Sequence, residues 1–407
     1  MRIGDPDYAA PADAPAEATS GGDLVRRFLQ GDLASLRVIL AIAAIWIVFE
    51  LQNDRFLSAV NLTNLFLQIT AVGLISVGVV MALLIGEIDL SVGAVSGLAA
   101  AVMAVLNVKQ GWPPALAIAA GVLTGSAIGL LQGTLFTRFV IPSFVVTLAG
   151  SLAWQGGLLK VLGTTGTVNL SNSSIINLAN TFYGPAVSWA FVAIGVGAYA
   201  LITLGGHRKR TAAGITTEPF ALLVFRVAVV AAVAIVAILI LNSDRGLPLA
   251  LIIFFAFVLG FQLLTTRTVF GRHLYAVGGS AEAARRAGIS VTRIRVLAFV
   301  LCSSMAAVGG IMAASRLLAV NQSSGGSNLL LEAIAGPVIA GTSLFGGRGS
   351  VWSALLGATV IGSISNGMYL LALESSVKYM ITGGVLLLAV VVDAVLKTQR
   401  EKAGAGR

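Results

Sequence analysis

Long, uninterrupted apolar runs extend along nearly the whole chain and limit what it can fold into. Roughly 20 helical residues cross the ~30 Å hydrocarbon core of a bilayer, and about twelve runs come near that length. They cover residues 35–53, 66–86, 91–108, 114–136, 143–161, 186–204, 219–241, 247–266, 296–315, 329–344, 351–373 and 377–396. The runs do not alternate apolar with polar residues, so helices are favoured over barrel strands.

The composition supports a membrane protein. Apolar residues make up 57% of the chain and charged residues 11%, and the mean hydropathy is +0.94, which exceeds what soluble globular domains carry. We therefore expect an all-α polytopic membrane protein with about 12 transmembrane helices between residues 32 and 396. Residues 1–31 are rich in Asp, Ala and Pro and lack the features of a cleaved signal. They are expected to form a disordered cytoplasmic tail, and residues 397–407 a second cytoplasmic tail.

The distribution of basic residues predicts the orientation. Threading the runs from a cytoplasmic N-terminus places 20 of the 26 Lys and Arg residues inside, as the positive-inside rule requires. The six that fall outside are Arg55, Lys109, Lys160, Arg245, Arg316 and Lys378. Both termini are therefore predicted to be cytoplasmic. This bias also accounts for the net charge of +9, so no nucleic-acid partner is needed to explain it.

Several chemistries are absent from the sequence. One cysteine, Cys302, makes no internal disulfide, and two histidines, His207 and His273, are too few for a typical zinc site. A Walker phosphate loop needs a Gly-Lys pair, which the chain lacks. Apart from Arg226, the long runs hold almost none of the mid-span ionisable residues typical of ion-driven carriers. We expect no enzyme activity and no cofactor bound by this chain, so a transporter of this type would need an external motor.

Three polar stretches are long enough to act as surfaces. Residues 163–184 contain no Lys or Arg and suit either an external loop that touches a soluble partner or a solvated connector. Residues 205–218 hold the densest positive cluster, which suits anionic headgroups of the lipid bilayer. Residues 271–295 place five arginines and a glutamate between two apolar runs. This last stretch is the longest cytoplasmic loop of the threading.

Within residues 271–295 lies a short helix-forming run that ends at a glycine able to take a left-handed conformation. Its residues are Glu282, Ala283, Ala284, Arg285, Arg286, Ala287 and Gly288. The run resembles the E-A-A-x-x-x-G signature of ATP-binding-cassette (ABC) importer permeases, whose cytoplasmic coupling helix docks on the ATPase subunit. The alternative is a solvated helical turn.

Three further motifs extend the resemblance. GEIDLSVG at 86–93, IPSFVVTLAG at 141–150 and GTSLFGGRGS at 341–350 are similar to segments of the ribose, arabinose and xylose permease family, as is the stretch at 271–288. The motifs come in family order over residues 60–396. AWQGGLL at 153–159 is most similar to the xylose branch.

This resemblance implies the permease subunit of a bacterial ABC importer for a monosaccharide, with xylose favoured. It implies two cytoplasmic ABC ATPase domains that bind ATP and Mg²⁺, a periplasmic sugar-binding protein, a second permease copy and a place in the inner membrane. The alternatives are an ion-coupled secondary sugar carrier and a same-family permease for another sugar or nucleoside.

The chain also departs from the family pattern. Glu87 stands where glycine is usual, and Gln132 and Ser280 stand where asparagine is common. Residues 186–241 add a helix pair to a family core of about ten spans.

A sugar path needs hydroxyl, amide and aromatic side chains directed inward. The candidates of this chemistry are Gln132, Ser143, Thr147, Trp154, Gln155 and Asn366.

Two motifs have candidate structural and gating roles. Asp89 or Ser91 is expected to cap a helix that starts near Val92, and Asp89 alternatively bonds a sugar hydroxyl or gates the path. Gly346, Gly347 and Gly349 permit a tight turn, and Arg348 is expected at the inner face, where it anchors in lipid or contacts the ATPase.

Small residues repeat at Gly121, Gly125, Gly129 and Gly133. This four-residue spacing predicts close helix packing in lipid.

Overall fold

The computed structural model describes residues 33–214 and 219–405. The predicted N-terminal tail at 1–31 lies outside these residues, as does part of the polar stretch at 205–218. Within the described residues the protein is almost entirely helical, with two short strand pairs. The all-α prediction is therefore confirmed.

The first eight helices are α1 (Leu33–Gln52), α2 (Ala59–Leu84), α3 (Val92–Ala104, continued by a π-helical turn, Val105–Lys109), α4 (Pro114–Phe139), α5 (Ser143–Leu162), α6 (Ser173–Asn180), α7 (Pro185–Ala212) and α8 (Phe220–Asn242). The others are α9 (Leu249–Arg267), α10 (Val269–Gly279), α11 (Ala281–Arg286), α12 (Val291–Leu317), α13 (Ser327–Ile339), α14 (Trp352–Leu370) and α15 (Ser375–Ala405). The strands are β1 (Thr167–Asn169), β2 (Phe182–Tyr183), β3 (Leu247–Pro248) and β4 (Ala319–Asn321).

Eight of the described helices are long and apolar enough to cross a membrane, by length and composition. They are α2, α3 with its π-helical turn, α4, α5, α7, α8, α9 and α12. Each predicted apolar run overlaps a helix, but the shorter α13 and the helices α1, α14 and α15 fall outside this set. The predicted number of about 12 spans is therefore not confirmed.

Two antiparallel strand pairs connect the loops at one end of the helices. Strand β1 pairs with β4 and β2 pairs with β3, so the polar stretch at 163–184 is tied to the connections that follow α8 and α12. At the opposite end the Gly347 amide donates to the Leu84 carbonyl at the end of α2. The predicted threading assigns these same groups of segments to opposite sides of the membrane.

Helix α12 lies at the centre of the structure and packs against α2, α3 and α4. The predicted glycine stripe of α4 faces this helix. A Cβ on Gly125 would lie 2.5 Å from the Ser303 carbonyl oxygen, and one on Gly133 would lie 3.0 Å from the Val296 Cα. The close packing predicted for this stripe is thus confirmed.

The helix pair α7 and α8, which the sequence predicts to be additional to the family core, lies at the periphery. In the most apolar segment of each helix, only 6% of the residues of α7 and 11% of those of α8 are buried, whereas 94% of those of α2 are buried. The two helices pack chiefly against each other. The structural core is therefore formed mainly by the other helices, with Ile238 and Leu241 near the end of α8 buried against it.

Candidate functional site

A buried acidic turn joins α2 to α3. The Asp89 side chain is only 3% exposed. Its Oδ1 accepts hydrogen bonds from the Ser91 amide at 2.8 Å and from the Ser91 hydroxyl at 2.6 Å. Asp89 thus binds the backbone where α3 begins, whereas the Ser91 side chain makes no cap hydrogen bond. Ser91 therefore does not make the expected cap on the first turn of α3, and Asp89 binds only the amide just before it.

Helices α4 and α5 converge on this turn. The Gln132 amide lies 3.1 Å from the Ser91 hydroxyl. From α5, the Thr147 hydroxyl accepts a hydrogen bond from the Leu90 amide at 3.1 Å. Three elements that are distant in sequence therefore meet through polar side chains at the start of α3.

One face of α5 carries a line of these groups. Ser143, Thr147, Gly150 and Trp154 follow the three- and four-residue spacing of a helix face. A Cβ on Gly150 would lie 3.0 Å from the Trp154 indole nitrogen and would collide with the Gln132 amide. The absent side chain of Gly150 therefore lets both polar groups lie against α5.

The line of polar groups on α5 continues toward the end of the molecule where the strand pairs lie. The Gln155 amide donates to the Gln322 carbonyl at 2.9 Å. Residues 323–326 then pass over α3, where a Cβ on Gly93 would lie 2.7 Å from the Gly325 carbonyl oxygen. This segment covers the strand-side end of the polar line.

Asn366 is separated from the other path candidates. Its side-chain oxygen accepts a hydrogen bond from Asn61 at 2.8 Å, and Asn61 also binds the Phe56 carbonyl. Asn61 lies at the start of α2, whereas Cys302, which lies beside Asp89, packs against Gly78, about 25 Å further along this helix. The structure therefore brings together five of the six candidates and leaves Asn366 with α2 and α14.

An ion pair closes the other end of the line. Arg295 of α12 lies 3.2 Å from Glu87. Both side chains line a cleft of about 300 Å³, together with Thr137, Ser143 and Arg285. The cleft connects the Asp89 turn, the α4–α5 turn and α11.

The glycine-rich motif packs beside this cleft. Gly346 and Gly347 both have positive φ angles, 83° and 72°, which suit glycine in a tight turn. The Gly347 amide donates to Leu84 at 2.9 Å, while the Arg348 side chain is exposed. The motif thus holds the end of α2.

The predicted coupling segment forms α11. Ser280 caps this helix by accepting from the Ala283 amide at 3.2 Å, and Gly288 has the left-handed conformation expected of it, with φ of 80°. Ala284 is buried, whereas the other signature residues are exposed. They are Glu282, Ala283, Arg285, Arg286 and Gly288.

Ion pairs link the exposed charges of α11 to each other. Glu282 lies 3.0 Å from Arg286 and 3.8 Å from Arg285. Such exposed pairs contribute little to stability, about 0–1 kcal/mol. The charges can therefore exchange partners at little cost when another surface approaches.

Sequence reasoning missed the contribution of α12 to the site. Cys302 and Ser303 lie beside the Asp89 carboxylate, and Arg295 pairs with Glu87. A serine or cysteine inside an apolar helix carries no signal of its neighbours. The sequence offered one sign of the Glu87–Arg295 pair, namely that Glu87 stands where glycine is usual in the family.

Comparison with known proteins gives consistent matches over most of the chain. Residues 61–390 match the family described as "Branched-chain amino acid transport system / permease component". The chain is 36% identical over 384 residues to the xylose transport system permease protein of Escherichia coli (strain K12), covering 94% of this chain and 96% of that protein.

Other relatives match over similar lengths. The identity is 34% over 359 residues to the xylose transport system permease protein of Haemophilus influenzae, covering 88% of this chain and 95% of that protein. It is 31% over 369 residues to the ribose import permease protein of Bacillus subtilis (strain 168), covering 90% and 95%. No solved structure matches the chain.

Proposed function

The chain belongs to the permease family of branched-chain amino acid transport system components, and from this membership we propose that it is the membrane-spanning subunit of an ABC importer for xylose. The xylose permeases among its relatives support this sugar. Relatives named for ribose, fructose, arabinose and allose show how readily the sugar varies within such permeases. Transport leaves the sugar chemically unchanged, and ATP and Mg²⁺ bind to partner subunits.

The sugar path runs along the polar face of α5. The observation that carries this proposal is the meeting of α3, α4 and α5 through Asp89, Ser91, Gln132 and Thr147. Hydroxyl, amide and indole groups exchange hydrogen bonds with a polyol. The Glu87–Arg295 pair lies at one end of this face and the Gln155–Gln322 contact at the other.

Force reaches the path through α11. Its exposed signature residues dock on the ATPase subunit, and four residues connect its end at Arg286 to the start of α12 at Val291. Helix α12 packs against α2, α3 and α4. Displacement of α11 therefore moves the central helix relative to the path and switches access between the two sides.

The assembled importer contains two copies of this chain, two cytoplasmic ATPase domains and a periplasmic sugar-binding protein. It lies in the inner membrane with both termini of this chain in the cytoplasm. The strand-paired end at β1–β4 and β2–β3 then faces the periplasm and the binding protein.

Reconstitution of the complex in vesicles tests the proposal. The wild-type complex is expected to take up xylose only with ATP inside, and Glu282→Ala with Gly288→Ala should uncouple ATP hydrolysis from uptake. Gly206→Ala is the control, because Gly206 lies on the peripheral helix α7, where an added Cβ meets nothing within 4 Å. Uptake driven by an ion gradient alone would contradict the importer, and normal coupling in the α11 variant would contradict the docking role.

A further inference from the structure

Unpaired buried polar atoms gather around Asp89. Among the described residues, six buried side-chain nitrogen and oxygen atoms lack a hydrogen-bond partner. Four of them belong to the Asp89 neighbourhood: Asp89 Oδ2, Gln132 Nε2, Trp154 Nε1 and Ser303 Oγ. A buried polar atom left unpaired destabilises the folded protein. Their concentration at one place indicates groups that find partners during function.

Four elements supply these atoms. Asp89 precedes α3, Gln132 lies on α4, Trp154 on α5 and Ser303 on α12. Ser91 joins Asp89 to Gln132 through hydrogen bonds, and the space over Gly150 brings Gln132 beside Trp154. Ser303 approaches Asp89 from the opposite side.

The orientation of the Gln132 amide does not account for the whole set. Ser91 has one hydroxyl proton, and the shorter contact, 2.6 Å, gives it to Asp89. Turning the Gln132 amide over would let its nitrogen donate to Ser91 and its oxygen face Trp154. Asp89 Oδ2 and Ser303 Oγ would then lie beside each other, too far apart for a well-formed hydrogen bond.

We propose that Asp89, Gln132, Trp154 and Ser303 form a monosaccharide-binding site that is closed in this structure. The free carboxylate oxygen accepts from sugar hydroxyls, the indole and amide nitrogens donate to sugar oxygens, and the Ser303 hydroxyl does either. The site contains one carboxylate and otherwise neutral groups, so it suits a neutral polyol and repels an anionic sugar derivative. The inference rests on the proposed transport function and adds α12 to the path.

Opening of the site requires movement between the helices. Asp89, Gln132 and Ser303 are between 0% and 3% exposed, and Cys302, next to Ser303, is fully buried. Because Ser303 lies on the helix that follows α11, displacement of α11 would separate Ser303 from Asp89. Cys302 would become accessible at the same time, and it is the single cysteine of the chain.

The sugar contact is tested with Asp89→Asn in the reconstituted complex. Asparagine retains the oxygen that accepts from Ser91 but loses the carboxylate charge. Uptake of xylose is compared with that of each monodeoxy xylose, at saturating concentrations of the loaded binding protein. We expect one analogue to fall about tenfold below xylose in wild type and less than about twofold in Asp89→Asn. Equal discrimination in both proteins would overturn the site.

The α12 contact has a separate test with a matched control. Ser303→Ala should lower xylose uptake about threefold or more at subsaturating xylose-loaded binding protein. Ser304→Ala should not, because Ser304 pairs with Ser126 on another face of α12. Equal uptake by the two variants would contradict the role of Ser303, even if Asp89→Asn fails to fold.

Labelling of Cys302 in the otherwise unaltered chain reports the opening. N-ethylmaleimide should modify this chain about tenfold faster during ATP-driven xylose uptake than at rest, measured on the separated permease band. An unchanged rate during active uptake would contradict an opening site. Absence of xylose uptake by the wild-type complex would instead contradict the proposed function, so the two failures are distinguishable.

Discussion

The Glu87–Arg295 ion pair should stabilise the junction between the Asp89 turn and α12. At 3.2 Å and an effective dielectric constant of about 20, the gross attraction is about 5 kcal/mol. Desolvation removes much of it. The side chains are 16% and 31% exposed, so the pair lies between exposed pairs, worth about 0–1 kcal/mol, and buried pairs, whose disruption costs about 3–5 kcal/mol. We therefore expect a net coupling of about 1–2 kcal/mol.

A double-mutant cycle measures this coupling free energy. Glu87→Gln, Arg295→Gln and the double variant are unfolded by SDS in mixed micelles, with Cys302 labelling as the probe of unfolding. The double variant should be more stable than additive single effects predict, by about 1–2 kcal/mol. High salt should reduce the difference, because part of the pair is exposed. A coupling below about 0.5 kcal/mol would refute the reasoning and make the contact incidental.

Three other changes have expected outcomes. Gly129→Ala should lower the yield of folded protein in a size-exclusion assay, because its Cβ would collide with the backbone of α12. Such overpacking costs about 1–3 kcal/mol. Gly197→Ala on α7 is the control and should fold normally, because its Cβ meets nothing within 4 Å. Gly288→Ala should destabilise the protein by about 1–2 kcal/mol in SDS unfolding through its positive φ alone; no change would contradict the left-handed conformation. Thr167→Cys with Asn321→Cys should cross-link under a membrane-impermeant oxidant, because the two are partners in β1–β4, and gel mobility would report failure.

The sequence was sufficient to predict the long apolar helices, but not all of their ends and not α10, which lies mostly within the stretch 271–295 that was expected to be a loop. A continuous apolar run must satisfy its backbone internally in lipid, which leaves helix as the solution. Helix α2, however, begins at Ala59 rather than at residue 66. Polar residues interrupt the apolar pattern there, yet Asn61 is paired with Asn366 and Thr63 bonds the Ala59 carbonyl. Tertiary and local hydrogen bonds thus extend a helix beyond its apolar pattern.

The arrangement of the site residues could be predicted where they lie on the same helix. Ser143, Thr147 and Trp154 follow helical spacing, so their common face can be read from the sequence. The contact of Ser303 with Asp89 depends on how α12 crosses the start of α3, and nothing local encodes it. Asn366 has the right chemistry but bonds Asn61, which chemical type alone does not exclude.

The peripheral helix pair has an evolutionary and engineering consequence. The Leu249 amide donates to the Thr181 carbonyl at 2.9 Å, and β2 pairs with β3 immediately beside it, so the chain leaves and re-enters the core at nearly the same point. A segment whose ends meet can be gained or lost without redirecting the rest of the chain. The hairpin α7–α8 is therefore an insertion-like segment whose two ends lie side by side. Because Tyr183 and Leu247 are strand partners, a direct join between them would give a shorter chain, and the same junction could accept a foreign module.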